Sequence, residues 1–260
     1  MLKEIGYRYI NGMNLFFPKI EHFFDKIDYG FSFVKINHSF WEMKSGDLLW
    51  KKTYLKIFDE NIINDVFSII KNIEKTKILL AASSVGAPKF EGKNLKYEII
   101  LSKTIKDSLP KNYIPYYAVL WKSYVLNETI SKFFDKLKGK KIIVVGMIHL
   151  HELKNNLKQF SNMVHYVLDF SSSKENKRHK ILNEMKNLIE NDTVFIIQAG
   201  DIFSTWIIYH LSSFSNKNCS FIDMGRSLDY FCPNRKMSKK DEEIYPLNLN
   251  SFYHQPWFQK

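Results

Sequence analysis

The sequence predicts an α/β protein in which a mostly parallel, Rossmann-like sheet carries helices on both faces. Several short runs are apolar throughout, which is typical of strands buried on both faces. The segments between them show the wider apolar spacing of amphipathic helices, and such an alternation indicates a parallel sheet. We expect a single domain over residues 1–260, with an N-terminal half at 1–137, a Rossmann-like half at 138–232 and a C-terminal tail at 233–260.

In the N-terminal half, apolar spacing after Pro18 predicts a short helix within residues 12–27. The run FSFVKI at 31–36 predicts a strand, because it is apolar and rich in residues that favour extended backbone. The later elements predicted here are an amphipathic helix at 59–74 with Asp59 as its cap, a strand at 77–82, and helices at 95–107 and 116–137.

The Rossmann-like half shows the clearest alternation of strands and helices. Its predicted strands are 141–146, 163–169, 193–198 and 219–223. The helices predicted between them are 151–160, 174–190 and 202–214.

Composition favours a globular protein of a reducing compartment. The chain is 45% hydrophobic and 25% charged, which is enough apolar mass for a core. No apolar run approaches the roughly 20 residues of a membrane span, and the N-terminus does not resemble a secretory signal. Cys219 and Cys232 form no motif, so we expect reduced thiols and a cytoplasmic location.

The net charge of +11 predicts an anionic partner without choosing among partners. Only four of the 38 basic residues are arginines, and the lysines are scattered along the chain. A dedicated nucleic-acid binder concentrates its basic residues and favours arginine, so nucleic acid is disfavoured. Phosphate-bearing substrates, peripheral contact with the anionic inner face of a membrane, and RNA all stay open on charge alone.

Ligands of open parallel sheets bind beyond the carboxyl ends of the strands, and this rule selects five turns. They lie at 37–42, 83–88, 146–151, 198–204 and 223–229. Each contains glycine, hydroxyl-bearing or charged residues. We expect several of these turns to converge on one pocket.

Two of these turns are rich in small residues. Gly200 and Asp201 precede a predicted helix, whose first N–H groups could hold a phosphate. An ordinary turn with Asp201 as the helix cap explains the same residues equally well. Ser84 and Gly86 lie in a tight turn after a strand, but the surrounding residues do not form the nucleophile elbow of a serine hydrolase.

The turn after the last strand carries Asp223, Gly225, Arg226 and Asp229. An acidic residue that closes a strand often accepts hydrogen bonds from sugar hydroxyls, and Arg226 could neutralise a diphosphate. The structural alternative makes Asp223 a loop cap and Arg226 a surface ion-pair partner. The concentration of polar residues favours the functional interpretation.

The turn after the first strand joins Asn37, His38, Trp41 and Glu42. His38 or Glu42 could accept a proton from an acceptor hydroxyl, and Trp41 offers a flat face for a sugar. A packed tryptophan beside a hydrogen-bonded histidine is the structural alternative. His149 and His151 could bind a metal, but no third ligand accompanies them, so a structural role is favoured.

Taken together, these segments resemble the GT-D fold glycosyltransferases, a family first catalogued as a domain of unknown function. In that family a strand of the type F-S-x-V-R leads into G-D-G-E, and an A-x-D-I-G strand end closes the fold. The matching segments are FSFVKINHSFWE at 31–42, IIVVG at 142–146, QAGDIFSTW at 198–206 and FIDMG at 221–225. The resemblance covers about residues 30–230 in order and spacing.

The resemblance implies transfer of a sugar, from a UDP-sugar in particular, to a glycan or glycoconjugate on the cytoplasmic side. It also implies a divalent metal such as manganese, held by the D-x-E of the family motif. Aligning Lys35 with the family arginine places His38 and Phe40 at those two positions. Arg226 stands where the closing motif has histidine. We therefore predict no metal ligand and leave the cofactor open.

In such an enzyme, cationic side chains must stabilise the leaving diphosphate, and Lys35, Arg226 and the Gly200 turn are the candidates. The predicted catalytic residues are His38, Glu42 and Asp223, and the predicted substrate-binding residues are Lys35, Asn37, Trp41, Ser84, Gly86, Gly200, Asp201, Gly225, Arg226 and Asp229. The alternatives are a non-catalytic nucleotide- or sugar-binding relative and a basic RNA-associated protein.

Overall fold

A computed structural model describes residues 7–10, 13–82, 95–169, 172–215 and 218–232. These residues contain one nine-stranded sheet, ordered β1-β2-β5-β4-β3-β9-β8-β6-β7. Its strands are β1 (Tyr7–Ile10), β2 (Met13–Phe16), β3 (Ser32–Ile36), β4 (Ile78–Ala82), β5 (Tyr116–Tyr117), β6 (Lys141–Gly146), β7 (Val164–Val167), β8 (Thr193–Gln198) and β9 (Ser220–Asp223).

Eight of these strands, β2 to β9, run parallel, and β1 pairs antiparallel with β2 at one edge. The predicted parallel sheet is therefore confirmed. All six residues of β8 are buried, as expected for a strand covered on both faces. The outermost strand, β7, is partly exposed.

Helices cover both faces of the sheet, which confirms the predicted fold class. The α-helices are α1 (Phe24–Tyr29), α2 (His38–Lys44), α3 (Leu48–Ile57), α4 (Glu60–Lys71), α5 (Leu95–Ser108), α6 (Leu120–Leu126), α7 (Ile130–Asp135), α8 (Leu153–Asn156), α9 (Glu175–Lys186) and α10 (Asp201–Phe214). Helices α2, α4, α5, α9 and α10 enclose one apolar core, and α1, α6, α7 and α8 enclose the other. None of the described helices combines the length and apolarity that crossing a bilayer requires.

Several predicted elements have the expected local causes. Helix α4 begins after Asp59, whose carboxylate accepts a hydrogen bond from the N–H of Ile62 at 3.1 Å, as a cap should. The isoleucines of α4 face the core. Cys219 and Cys232 are both buried.

Two predicted helices differ from the observed elements, and a third is confirmed. Within 12–27, the residues after Pro18 are helical as predicted, and the residues before it form β2. The predicted helix 116–137 is divided into β5, α6 and α7, with Glu128 at a φ of 63° between the two helices. The predicted helix 151–160 consists of 3₁₀ turns around the single turn of α8.

The strand order places β3 between β4 and β9, at the centre of the sheet. From β3 the chain moves outward on one side through β4, and it returns on the other side through β8 and β9. Such a reversal leaves a crevice at the carboxyl ends of the central strands. Ser84, Gly86 and the predicted tail at 233–260 lie outside the described residues.

Candidate functional site

The carboxyl ends of β3, β9 and β8 lie side by side and form the rim of the central crevice. Phe33 of β3 pairs with Ile222 of β9, and Asp223 at the end of β9 pairs with Ile197 of β8. Asp223 is therefore placed between the end of β3, which carries Lys35, and the end of β8. The turns that follow β3, β8 and β9 are therefore adjacent, and the predicted turn at 83–88 lies outside the described residues.

Asp201 connects the turns that follow β3 and β8. Its carboxylate accepts hydrogen bonds from the hydroxyl of Tyr54 at 3.0 Å and from the N–H of Asn37 at 3.3 Å. The Tyr54 hydroxyl also contacts the hydroxyl of Ser39 at 2.8 Å. Burial raises the pKa of Asp201, while these hydrogen bonds oppose that shift. Asp201 thus fixes α2 and α3 against the start of α10.

Gly200 is the cap of α10 and has a φ of 78°, a conformation that favours glycine. The first turn of the helix does not match the predicted phosphate cradle. The Asp201 carboxylate already accepts a hydrogen bond from the N–H of Ile202 at 3.0 Å, so this N–H is not available to a phosphate. Asp201 is also the first helical residue rather than the cap. The acidic side chain at this helix N-terminus opposes binding of an anion there.

Lys35 and Gly225 meet at the floor of the crevice. A Cβ atom on Gly225 would lie 2.6 Å from Lys35 Nζ and would shift the lysine from its position, and the φ of 53° at Gly225 also favours glycine. Burial lowers the pKa of Lys35, and the nearby charges of Asp223 and Asp201 raise it in opposition. The lysine therefore lies beside the carboxylates in a poorly hydrated position.

Asp223 is 2% exposed, and its carboxylate accepts the N–H of Gly225 at 2.7 Å. Burial raises its pKa to about 7, against the attraction of Lys35, which lowers it. A carboxyl group with this pKa exchanges protons near neutral pH. Such perturbed groups are concentrated in functional sites.

Lys122 is a site residue that the sequence did not reveal. It projects from α6, which packs against the 3₁₀ helix at Gly225–Phe231, and its ammonium group lies 5.8 Å from the ring centre of Tyr230. Burial lowers its pKa to about 6, and the positive charges of Lys35 and Arg226 lower it further. Lys35, Lys122 and Arg226 thus form a cluster of basic side chains, the cationic cluster, in which Lys35 lies beside Asp223.

Asp229 holds the opposite wall of the crevice together. It is 5% exposed, and one carboxylate oxygen lies 2.8 Å from His149 Nε2 and 2.6 Å from the amide nitrogen of Gln198. Its other oxygen accepts a hydrogen bond from Nε of Arg226 at 3.1 Å. Asp229 therefore orients Arg226, and His149 contacts the same carboxylate.

Arg226 retains hydrogen-bonding capacity after this contact. Its Nη2 atom is buried and makes no hydrogen bond to any residue that the structure describes. The carbonyl oxygen of the Gln198 side chain is also buried and accepts no hydrogen bond from the described residues. A buried guanidinium donor without an acceptor costs free energy, and an anionic ligand would satisfy it.

His38 begins α2 at the edge of the crevice, next to Trp50, whose ring centre is 6.3 Å away. Burial lowers the pKa of His38 to about 4, and the charge of Lys35 contributes to this shift. The imidazole is therefore neutral at physiological pH and has a nitrogen that can accept a proton.

Trp41 and Glu42 are not exposed at the rim. The segment predicted as a turn continues as α2, and this helix directs both side chains into the core, where Trp41 is 0% and Glu42 is 1% exposed. The proposed stacking of a sugar on Trp41 is therefore wrong for this conformation. Glu42 is likewise inaccessible to an acceptor hydroxyl, which leaves His38 as the candidate base of this segment.

The residues present do not fit the divalent metal of the family motif. His38 and Phe40 occupy the aligned positions, and Phe40 is 0% exposed in the core. Within the described ranges, no group of three His, Cys, Asp or Glu side chains is arranged to hold a metal ion. The basic side chains at this end of the sheet are instead those of Lys35, Lys122 and Arg226.

These features define a Rossmann-like α/β protein with a cluster of charged side chains at its strand ends. Its fold is similar to that of a solved structure described as a new glycosyltransferase (DUF1792) from Streptococcus sanguinis, with a TM-score of 0.53, 12% identity and 81% of each chain covered. A selenomethionine-substituted structure of domain of unknown function 1792 has a TM-score of 0.47 and 12% identity, over 80% of this chain and 83% of that one.

The first comparison confirms, at the level of the fold, the predicted resemblance to the GT-D glycosyltransferases. No protein-family model matches the sequence. No curated protein matches it either. The chain therefore shares the fold of that solved structure at 12% sequence identity.

Proposed function

We propose that this protein is a glycosyltransferase that moves a sugar from a nucleotide diphosphate donor, a UDP-sugar in particular, to a glycan or glycoconjugate acceptor in the cytoplasm. The observation that carries the proposal is the cationic cluster of Lys35, Lys122 and Arg226 beside Asp223 at the rim. The fold shared with a glycosyltransferase supports the same class of reaction.

The cluster is suited to a diphosphate for an electrostatic reason. Burial lowers the pKa of Lys122 to about 6, and repulsion by the positive charges of Lys35 and Arg226 contributes to this shift, so Lys122 favours loss of its proton when no anion is bound. A diphosphate would reverse both effects, because it brings negative charge and hydrogen-bond acceptors to the ammonium groups. Arg226 would donate its remaining Nη2 group to the same ligand.

In the reaction, the acceptor oxygen forms a bond to the anomeric carbon of the sugar while the bond from that carbon to the diphosphate breaks. The diphosphate leaves with the bonding electrons, and the three cations stabilise the charge that develops on it. The acceptor proton passes to a base. Asp223, at the floor of the crevice, would hold a sugar hydroxyl.

We assign the base to His38, whose imidazole is neutral and lies at the edge of the rim. Its pKa of about 4 makes it a weak base before the donor binds, partly because Lys35 is positively charged. A diphosphate bound to Lys35 would offset that charge and raise the pKa of His38. Binding of the donor would therefore make His38 a stronger base.

The proposal is tested by measuring release of UDP from a panel of UDP-sugars, with manganese and with EDTA. We expect turnover of at least one donor in EDTA, because the cationic cluster supplies the charge that a metal supplies elsewhere. Lys122→Met should lower turnover about tenfold or more, as removal of one charge-assisted contact to the leaving group predicts. Lys158→Met is the matched control, because Lys158 is exposed on the surface.

Equal turnover in Lys122→Met and the parent would contradict the role of the cluster. Saturable binding of UDP without turnover of any donor would favour the non-catalytic nucleotide-binding relative. Steeply salt-dependent binding of RNA without any response to nucleotides would instead favour an RNA-associated protein.

A further inference from the structure

Helix α3 presents an unusual outer surface directly behind the candidate site. Leu48 is 79% exposed and its neighbour Leu49 is 71% exposed, although both belong to a helix of only ten residues. Leu55 is also exposed, at 36%. Two adjacent leucines with most of their surface in water leave apolar area unburied, and contiguous patches of this kind mark interaction surfaces.

Lysines are interleaved with these leucines. Lys51, Lys52 and Lys56 are all exposed, and the helix sequence LLWKKTYLKI contains no acidic residue. The residues Leu48, Lys51, Lys52, Leu55 and Lys56 line one depression of the surface. Spacings of three, four and seven residues place them on one side of the helix.

We propose that this outer face of α3, formed by Leu48, Leu49, Lys51, Lys52, Leu55 and Lys56, docks onto an anionic phospholipid surface. The leucines would enter the boundary between headgroups and acyl chains, and the lysines would contact anionic headgroups. Long lysine side chains suit this arrangement, because their stems lie along apolar surface while the ammonium group stays with the headgroups.

The charge of this face favours an anionic lipid surface over a groove on another protein as its partner. The exposed face carries three positive charges with no acidic residue among them, and the whole chain has a net charge of +11 that would attract it to an anionic surface. A helix lying in the plane of the interface with leucines below and lysines beside them is the usual form of a peripheral membrane anchor.

The inner face of the same helix contacts the candidate site. Tyr54 donates to the carboxylate of Asp201, and Trp50 lies against His38. Docking would therefore hold the rim about 10 Å from the lipid surface, which is one helix diameter. An acceptor attached to a lipid could reach the crevice from there, although the docking itself does not depend on the reaction.

The test is flotation of the full chain with vesicles of pure phosphatidylcholine and with vesicles that also contain phosphatidylglycerol. We expect binding only to the anionic vesicles, and weaker binding at high salt. The pair Leu48→Ser with Leu49→Ser should weaken binding about tenfold or more. The triple Lys51→Gln, Lys52→Gln and Lys56→Gln should weaken it about a hundredfold.

The charge-matched control is the triple Lys103→Gln, Lys106→Gln and Lys158→Gln, which removes three exposed lysines from other parts of the surface. It should change vesicle binding less than about twofold, because the contact is local. Unchanged melting temperature and unchanged UDP binding of every variant show that fold and site are intact.

Three outcomes would overturn the proposal. The parent could fail to float with anionic vesicles, including the case in which it forms a dimer through α3 instead. The leucine pair could bind as well as the parent. The control triple could lose as much binding as the α3 triple, which would make the effect one of net charge alone.

Discussion

Replacing Asp223 by asparagine should stabilise the protein at pH 8 while lowering its transferase activity. Asparagine has nearly the same shape, and its side-chain oxygen can still accept the N–H of Gly225, which lies 2.7 Å from the carboxylate in the parent. The substitution removes a negative charge that is buried at 2% exposure. It therefore separates the cost of that charge from the geometry of the turn.

The magnitude follows from the pKa of Asp223, which burial raises from 3.8 to about 7. Each pKa unit corresponds to about 1.4 kcal/mol, so the charged form costs about 4 kcal/mol in the folded state above pH 7. The pKa of Asp223 is higher in the folded than in the unfolded protein. The stabilisation of the fold that this difference gives is complete below pH 3.8 and is lost as the pH rises to about 7. About 3 kcal/mol of this loss falls between pH 5 and pH 8.

The assay is unfolding in urea at pH 5 and pH 8, with the free energy of unfolding compared between Asp223→Asn and the parent. We expect the advantage of the variant to be larger at pH 8 by about 2–3 kcal/mol. Turnover of the UDP-sugar should fall at both pH values. A variant that is destabilised equally at pH 5 and pH 8 would refute the reasoning and would make Asp223 an ordinary ion-pair partner of Lys35.

Three further predictions concern the same crevice. Gly225→Ala should weaken UDP binding about tenfold, because the new Cβ would lie 2.6 Å from Lys35 Nζ and displace it; calorimetry measures the change. UDP affinity should fall between pH 6 and pH 8, because Lys122 has a pKa of about 6 and must be protonated to bind the diphosphate. The fall is up to about tenfold per pH unit for each proton that the protein takes up on binding. Affinity that is flat over this range would contradict that account. Tyr54→Phe should lower stability by about 1–3 kcal/mol in urea unfolding, because the buried carboxylate of Asp201 loses a donor at 3.0 Å; an unchanged midpoint would argue against it.

The strands of the Rossmann-like half were predictable because their signal is local. In β6 and β8 the apolar residues follow one another without alternation, and both strands are observed at the predicted residues. Strand β2 was missed because its parallel partner is distant in sequence. Phe16 pairs with Tyr116, about a hundred residues further along, and nothing in the local sequence indicates that contact.

The site was predictable to the extent that it depends on strand ends. Lys35 and Asp223 lie at the ends of two central strands, so their proximity follows from the topology. Lys122 could not be found in this way, because it reaches the rim through the packing of α6 on the turn at Gly225–Phe231. Trp41 was placed wrongly because the start of α2 at His38 turns its side chain inward.

The central claim is tested most directly by titrating UDP into the protein in the presence of EDTA and measuring the heat of binding. The account predicts saturable binding by the parent without metal, a loss of about tenfold or more in each of Lys35→Met and Lys122→Met, and no change in Lys158→Met. Binding that requires manganese, or that is equally strong in all four proteins, would contradict it.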